Sequence, residues 1–322
     1  MNNPAVILRA FGKVEECVSV GEWSVTDPKA GEVTVEMLVA PVNPADLNVI
    51  EGKYGDLPEL PGVPGSEGAG RIVALGADVD SVAVGDLVVV VRKGTWAKRI
   101  TVSAQDVFPL PKQTDVLQAA MLGVNPPTAL LMMESFVALK PGDWIVQNAA
   151  NSAVGRSVIH IAKAHGFRTL NVVRRPELID ELSQLGADRV VTEETDLREV
   201  TGDLSIQLAL NAVGGASALN LANALSQDGY VVTYGAMGRQ PLKIPNGLLI
   251  FKNLTFAGFW LSRWKKNAAK ARQHAVLKQL ADLSSSGQLT LAVHQTFPIS
   301  DIQAALAEAA KGQRSGKVLL TF

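Results

Sequence analysis

Gly142-Asp143-Trp144-Ile145-Val146-Gln147-Asn148-Ala149-Ala150-Asn151-Ser152-Ala153-Val154-Gly155 is the stretch that decides the fold. A polar lead-in opens a short apolar run, small residues turn the chain, and an amphipathic pattern starts at Val154-Gly155 and continues through Ala164. That order is strand, tight turn, helix. The first turn of a helix leaves backbone N–H groups unpaired and carries the positive end of the helix dipole, which suits a pyrophosphate. Small side chains let the backbone approach a phosphate and let the helix close on the strand. The glycine fingerprint is degenerate, because Ala149 and Ser152 stand where the standard pattern has Gly and only Gly155 keeps to it. Taken alone, the turn reads more readily as an ordinary strand-to-helix connection.

The following strand shifts that balance. After the turn at Gly166, Thr169-Leu170-Asn171-Val172-Val173 reads as a strand ending in Arg174-Arg175. An NAD site wants Asp or Glu there for the ribose 2′-hydroxyl, whereas an arginine pair suits a 2′-phosphate. Two solvated loop arginines are the plain alternative. Their place at the end of the strand, with no carboxylate before Pro176, points to NADPH.

A chain of 322 residues has room for two domains, each with its own core. The hydrophobic share of 47% and the charged share of 19% are those of a globular protein. A net charge of −1 gives no overall field toward nucleic acid or a membrane surface. No run approaches the roughly 18 apolar residues of a transmembrane helix. Met1 to Arg9 runs at once into a strand-like pattern without a presequence or signal, so the sequence predicts a cytoplasmic protein, or one given without its leader. The single cysteine, Cys17, permits neither an internal disulfide nor a Cys-rich zinc site. The four histidines (His160, His165, His274, His294) are scattered and read as surface or core residues, so no metal is expected.

The first 120 or so residues carry strand signals punctuated by Gly and Pro, including Val33 to Val39, Gly70 to Gly76 and Gly85 to Val91. They predict an irregular β-barrel. From about Val116 the texture changes. Helical spacing runs from Ala119 to Val137, and strands at Trp144–Asn148, Thr169–Val173, Arg189–Thr192, Ile206–Ala212, Tyr230–Tyr234 and Thr255–Phe259 alternate with helices. Right-handed crossovers make that a doubly wound parallel sheet, so the fold class is α/β. A helix from roughly Ala268 to Ser284 follows, and the tail from His294 to Phe322 carries strand, helix and strand that could return to the first domain.

Barrel, parallel sheet and short return segment is the order of the medium-chain dehydrogenases/reductases, and several local sequences resemble that family. Pro28-Lys29-Ala30-Gly31-Glu32-Val33 looks like its early turn, and Val42-Asn43-Pro44-Ala45-Asp46 like its zinc-free quinone-reductase branch. Pro64-Gly65-Ser66-Glu67-Gly68-Ala69-Gly70 resembles the signature in which zinc-dependent members carry His before Glu; here that position is Ser66. Within the superfamily the chain is most similar to the mitochondrial-type trans-2-enoyl-thioester reductases, nearly end to end. The stretches that carry this are Glu51 to Pro61, Gln147 to Ser152, Asn171 to Arg174, Tyr234 to Met237, Leu249 to Lys252 and Gly258 to Lys266. Arg174-Arg175-Pro176 departs from the family, which has an acidic residue between two arginines.

The resemblance implies a GroES-like catalytic domain over residues 1–121 and 265–322 and an NADPH-binding Rossmann domain over 122–264. It implies that Asn151, Ser152, Ala153 and Val154 line the pyrophosphate turn and that Arg174 and Arg175 meet the adenosine phosphate. Tyr234, Gly235, Ala236 and Met237 would border the cofactor, Phe259, Trp260 and Leu261 would lie beside the nicotinamide, and Asn125 and Lys317 would be further cofactor contacts. Tyr54 corresponds to the family's catalytic tyrosine. The implied activity is NADPH-dependent reduction of the 2,3 double bond of enoyl-CoA or enoyl-acyl-carrier-protein in fatty-acid metabolism, by a homodimer joined through the edge strand at Thr255 to Phe259.

The chemistry asks for a neutral donor opposite the hydride source, and a phenol, with a reference pKa of about 10, stays protonated. Tyr54 is one of three tyrosines, and Gly52 and Gly55 flank it in a loop. A packing tyrosine at a loop edge is the bland reading. The aromatics Phe251, Phe259, Trp260 and Trp264 pack the last strand and a dimer surface, and part of them could wall an acyl pocket. Lys265 and Lys266 read as a solvated helix start or as contacts to the phosphates of a CoA or carrier arm. The alternatives are an NADPH:quinone or alkenal reductase and a non-enzymatic cofactor-binding protein.

Overall fold

The computed structural model describes residues 3–202, 204–312 and 314–322. The chain forms two compact units. The first comprises Met1–Val124, Lys270–Ser285 and Leu291–Phe322, and the second Asn125–Ala269 and Ser286–Thr290.

The second unit is built on a six-stranded sheet in the spatial order Arg189–Thr192, Arg168–Val173, Trp144–Gln147, Ile206–Asn211, Tyr230–Thr233, Thr255–Gly258. Every neighbouring pair is parallel. The chain enters at Trp144–Gln147, steps outward twice, returns to the other flank of that strand and steps outward again. Helices Ala153–His165, Leu178–Leu185, Leu197–Thr201, Gly215–Ala224 and Asn246–Ile250 lie in the connections. The central strands are short apolar runs with both faces covered, as a parallel sheet requires. Val146, Leu170, Ala209 and Val231 pack with Leu221 and Leu225 in one core cluster, and Val173 with Ile159 and Leu182 in another. The guanidinium groups of Arg168 and Arg189 lie 5.8 and 5.1 Å from the ring centre of Trp144.

In the first unit a seven-stranded sheet runs Val293–Pro298, Lys317–Thr321, Glu32–Pro41, Gly68–Leu75, Leu87–Val90, Val107–Leu110, with Arg99–Ser103 paired to Glu32–Pro41 off that path. The long strand Glu32–Pro41 meets Gly68–Leu75 along one edge, with register shifts at Thr34/Val35 and Met37/Val39. Its other edge is divided, with Glu32 to Glu36 against Arg99–Ser103 and Val39 to Pro41 against Lys317–Thr321. Such shifts bend a sheet. The ends of the path, Val293–Pro298 and Val107–Leu110, are not paired to each other among the described residues, so the barrel is irregular and open. A separate ribbon pairs Pro4–Leu8 with Val18–Glu22. The tail joins this unit through Lys317–Thr321 and helix Ile302–Ala310.

Two elements differ from the sequence reading. The helical spacing of Ala119 to Val137 is two helices, Val116–Ala120 and Asn125–Ser135. Pro126 and Pro127 lack N–H groups and belong in a first turn. At Gly123 a Cβ would lie 2.9 Å from Val91 and 3.1 Å from Glu67, so the break packs against its own unit. The helix expected from Ala268 begins at Lys270, after a separate short helix Leu261–Asn267.

Trp144 is buried in the sheet core beneath two cations. Trp144→Ala is expected to lower stability by about 3–5 kcal/mol, read from urea unfolding, the range for a large buried aromatic cut to Ala.

Candidate active site

Six parallel strands bring their carboxyl ends to one edge of the second unit's sheet, and the order reverses at Trp144–Gln147. A doubly wound sheet binds its ligand where its order reverses, because two connections part there and leave a crevice. Sequence places Asn151 to Val154 after Trp144–Gln147, Arg174 and Arg175 after Arg168–Val173, Tyr234 to Met237 after Tyr230–Thr233, and Phe259 to Leu261 after Thr255–Gly258. All of these therefore follow strand ends on that edge.

The turn uses two of its N–H groups internally, Ala150 N–H donating to Val172 O at 3.2 Å and Ser152 N–H to Ala149 O at 2.9 Å. Ala149 turns the chain at φ +48°. Ser152 caps the helix Ala153–His165, its Oγ accepting from the Gly155 N–H at 3.1 Å. A Cβ on Gly155 would lie 2.5 Å from the carbonyl oxygen of Ala150, so the helix sits directly on the turn. Below it, the Arg156 Nε donates to the Asn151 carbonyl at 3.1 Å, and its guanidinium also pairs with Glu181. The dipole end and this buried cation both favour an anion above.

A ladder of buried amides fixes the adjacent strand ends. Asn148 Nδ2 donates to Asn211 Oδ1 and to Ser217 Oγ, each at 2.9 Å, and Asn148 Oδ1 accepts from the Ala212 N–H at 2.7 Å. Asn211 Oδ1 also accepts from the N–H groups of Val213 and Gly214, and its Nδ2 donates to Thr233 Oγ1. Tyr234 N–H donates to Asn211 O and Met237 N–H to Ala212 O, and Phe259 N–H reaches Thr233 O at 3.0 Å. The Tyr234 hydroxyl is buried toward Ser152 without a hydrogen-bond partner, and burial pushes its pKa above the ordinary tyrosine range. An orphaned buried hydroxyl beside a capped helix start fits a phosphate-bearing ligand.

Arg174 is exposed at the end of its strand, while Arg175 is half-buried and 3.4 Å from Glu177. Arg174 is thus the less compensated charge for a ribose phosphate. Asn125 is buried at the start of the helix Asn125–Ser135, which packs on Ala153–His165. The aromatics do not form one cluster. Phe251 is 77% exposed before the strand Thr255–Gly258, whereas Phe259, Trp260 and Trp264 follow it. The four-residue strand between them spans roughly 13 Å. Phe259 packs edge-on to Phe136 at 6.5 Å.

Tyr54 and Lys317 belong to the first unit. Tyr54 is half-buried in the loop that follows the helix Pro44–Ile50. Asn43 caps that helix, and its backbone N–H donates to Asp46 Oδ2 at 2.8 Å in a capping box. Lys317 is buried, with its ammonium on Asn43 Oδ1. Asn43 Nδ2 donates to Glu67 Oε1 at 2.9 Å and Ser66 Oγ to Asp46 Oδ1 at 2.9 Å. Burial raises Asp46 to about 6, against the Asn43 N–H, the Ser66 hydroxyl and the Lys317 charge. Burial likewise raises Glu67 to about 7 and lowers Lys317 to about 8. Sequence reasoning passed over Arg156 and this carboxylate cluster. The one available hint is that Asp46, Glu67 and Lys317 each stand as a single charge between small or apolar neighbours.

Residues 153–278 match the family described as zinc-binding dehydrogenase, and residues 29–112 the alcohol dehydrogenase GroES-like domain. The human mitochondrial enoyl-[acyl-carrier-protein] reductase is 41% identical over 99% of this chain and 88% of its own. The solved complex of Etr1p with NADP and crotonyl-CoA superposes with a TM-score of 0.90 at 31% identity, covering 100% of both chains. A protein of Bacillus thuringiensis provisionally named NADPH:quinone reductase superposes at 0.92 with 28% identity, covering 100% of this chain and 99% of that one. The zinc in the first description is not matched by a donor set: among the described residues no group of three His, Cys, Asp or Glu could hold a metal ion, and Ser66 is hydrogen-bonded to Asp46. The relatives also correct the cytoplasmic expectation, because they are named mitochondrial. A leader is cleaved from the mature protein, so a strand-like N-terminal sequence carries no information about compartment.

Gly155→Ala sets a methyl against backbone, and is expected to weaken dinucleotide binding at least tenfold with a stability loss of about 1–3 kcal/mol, checked by fluorescence titration and thermal melting. Together, the sheet edge, the fold and the end-to-end likeness place the chain among the zinc-free medium-chain dehydrogenases/reductases, in the family of the mitochondrial-type enoyl thioester reductases.

Proposed function

We propose that this protein reduces the 2,3 double bond of trans-2-enoyl thioesters with NADPH, taking enoyl-CoA or enoyl-acyl-carrier-protein in fatty-acid metabolism. The observation that carries it is likeness along the whole chain, to human enoyl-[acyl-carrier-protein] reductase and to an enoyl thioester reductase solved with NADP and crotonyl-CoA. When bound, NADPH supplies the hydride for the β-carbon.

The chain's own residues bind, orient and protonate. Asn151, Ser152, Ala153 and Val154 line the pyrophosphate turn, where the first turn of the helix Ala153–His165 offers N–H groups, with the Tyr234 hydroxyl beside them. Arg174 and Arg175 take the 2′-phosphate, Gly235, Ala236 and Met237 border the dinucleotide, and Phe259, Trp260 and Leu261 lie along the nicotinamide. Asn125 and Lys317 complete the cofactor set. Residues 1–121 and 265–322 form the catalytic domain and 122–264 the cofactor domain. Tyr54 donates from its phenol O–H to the enolate that forms when hydride reaches the β-carbon, either as a hydrogen bond or as the proton taken up at the α-carbon; in the second case the phenolate left behind regains its proton from solvent. A positioned donor stabilises that charge more in the transition state than in the ground state, which is what accelerates the step.

Two copies of the chain form a homodimer. Thr255–Gly258 is an edge strand of the parallel sheet, and Leu249, Ile250 and Phe251 are exposed just before it. An open strand edge beside apolar side chains needs a cover, and a second copy supplies one by symmetry. The alternative, a quinone or alkenal reductase, draws on the superposition with the Bacillus thuringiensis protein.

Steady-state rates with crotonyl-CoA, longer enoyl-CoAs and a quinone, each with NADPH and NADH, decide between these activities. The expected result is enoyl-CoA turnover with NADPH; turnover of the quinone alone refutes the proposal. Tyr54→Phe is expected to lower kcat about 100-fold, equivalent to roughly 3 kcal/mol, with NADPH affinity unchanged. Arg174→Ala is expected to raise KM for NADPH about tenfold or more and leave that for NADH alone, since a charge-assisted hydrogen bond contributes about 1.5–3 kcal/mol.

A further inference from the structure

Glu67 is fully buried in the first unit, and its two carboxylate oxygens point to different parts of the chain. Oε1 accepts from Asn43 Nδ2 at 2.9 Å, and Oε2 from the backbone N–H of Gly123 at 2.7 Å. Its carbonyl is held by Thr95 Oγ1 at 2.9 Å, so the residue is fixed at both ends. The segments it grips matter to the reaction. Asn43 caps the helix Pro44–Ile50, and the loop beyond is tied to that helix through Gly52 N–H on Val49 O and Lys53 N–H on Asn48 O, one residue before Tyr54. Gly123 closes against Glu67 without room for a Cβ, two residues before Asn125.

A buried carboxylate is a costly way to fill space. Desolvating it and its neighbours Asp46 and Lys317 opposes folding, and apolar side chains of the same volume would often be as stable. What the charge adds is two strong acceptors aimed at two donors. We propose that Glu67 is a positioning residue for the reduction: its ionised carboxylate, bridging Asn43 and Gly123, anchors the helix that launches the Tyr54 loop and the segment that leads to Asn125.

The bridge needs both oxygens as acceptors. Asn43 Nδ2 and the Gly123 N–H are both donors, so a proton on either oxygen of Glu67 removes the charge that strengthens both hydrogen bonds and takes one acceptor site, which weakens the bridge. The charged groups facing Glu67 are Asp46 on the helix Pro44–Ile50, Lys317 on the last strand, and, beyond the lysine, Arg314. Burial outweighs these charges and raises Glu67 to about 7, so the bridge is strongest above that pH and weakens as pH falls through it. Glu67→Gln carries no charge at any pH and puts an NH2, which accepts nothing, where one acceptor was. Asn43→Ser still caps the helix but is too short to bridge the carboxylate and the lysine.

The proposal rests on the enoyl thioester reductase reading, and the unaltered enzyme separates the two. If the native chain does not reduce crotonyl-CoA with NADPH, that reading fails; if it does, the variants decide the role of Glu67. kcat of the native enzyme is expected to rise as pH increases through about 7. Glu67→Gln is expected to lower kcat at pH 8 at least tenfold and to flatten that rise, with KM for crotonyl-CoA within about twofold and a cooperative thermal melt. Asn43→Ser is expected to lower kcat in the same direction. A Glu67→Gln enzyme within about twofold of native kcat, or one that is slower but keeps the native pH profile, overturns the proposal. Should Glu67→Gln fail to fold, Asn43→Ser decides alone: native kcat and native pH dependence in that variant overturn it.

Discussion

All six strands of the second unit run in one direction, and most of what the protein does follows from that constraint. Parallel strands need a crossover between each pair, so every strand delivers its carboxyl end, and the residues after it, to the same edge. Residues spread over more than a hundred positions, from Asn151 to Leu261, thereby share one rim. The reversal at Trp144–Gln147 opens a crevice in that rim, and the capped helix after it turns unsatisfied N–H groups toward whatever lies there. Neither strand propensity nor the glycine motif alone would have achieved this.

The sheet was legible because its strands are short apolar runs bounded by Gly, Pro and Asp, and their observed limits fall within a residue or so of those read from the pattern. The turn alone was not legible, because its glycine pattern is degenerate and reads first as an ordinary strand-to-helix connection; in the fold Ser152 caps the helix and a Cβ on Gly155 would meet Ala150. Other parts were hidden for physical reasons. Arg156 carried no reading in the sequence because a cation on a helix is ordinarily solvated, yet it is buried, with Asn151 O and Glu181 as its partners. The link from Lys317 to Asn43 joins positions 274 residues apart, and no periodicity reports such a pair. The aromatics near the last strand looked like one cluster because they are close in sequence, but an extended strand separates Phe251 from the rest.

The two units fix their functional residues by different means. In the second, neutral amides do it: Asn148, Asn211 and Thr233 exchange hydrogen bonds across three strand ends, each donor matched to an acceptor. Such a network is indifferent to pH and tolerates burial at low cost. In the first, two carboxylates and an ammonium are buried together with Asn43 at the centre. Their protonation is balanced near neutrality because burial opposes charge on all three, so small changes in surroundings decide which is ionised.

The divided edge of Glu32–Pro41 carries a consequence for biosynthesis. Lys317–Thr321, the final strand, docks between Val293–Pro298 and the far end of that early strand, and helix Ile302–Ala310 packs into the same core. The N-terminal half of the first unit, although made first, must therefore wait on the ribosome with part of a strand uncovered. The second unit has every strand of its sheet by Gly258. The later-made sheet is thus complete in sequence while the earlier-made one still lacks its last strand.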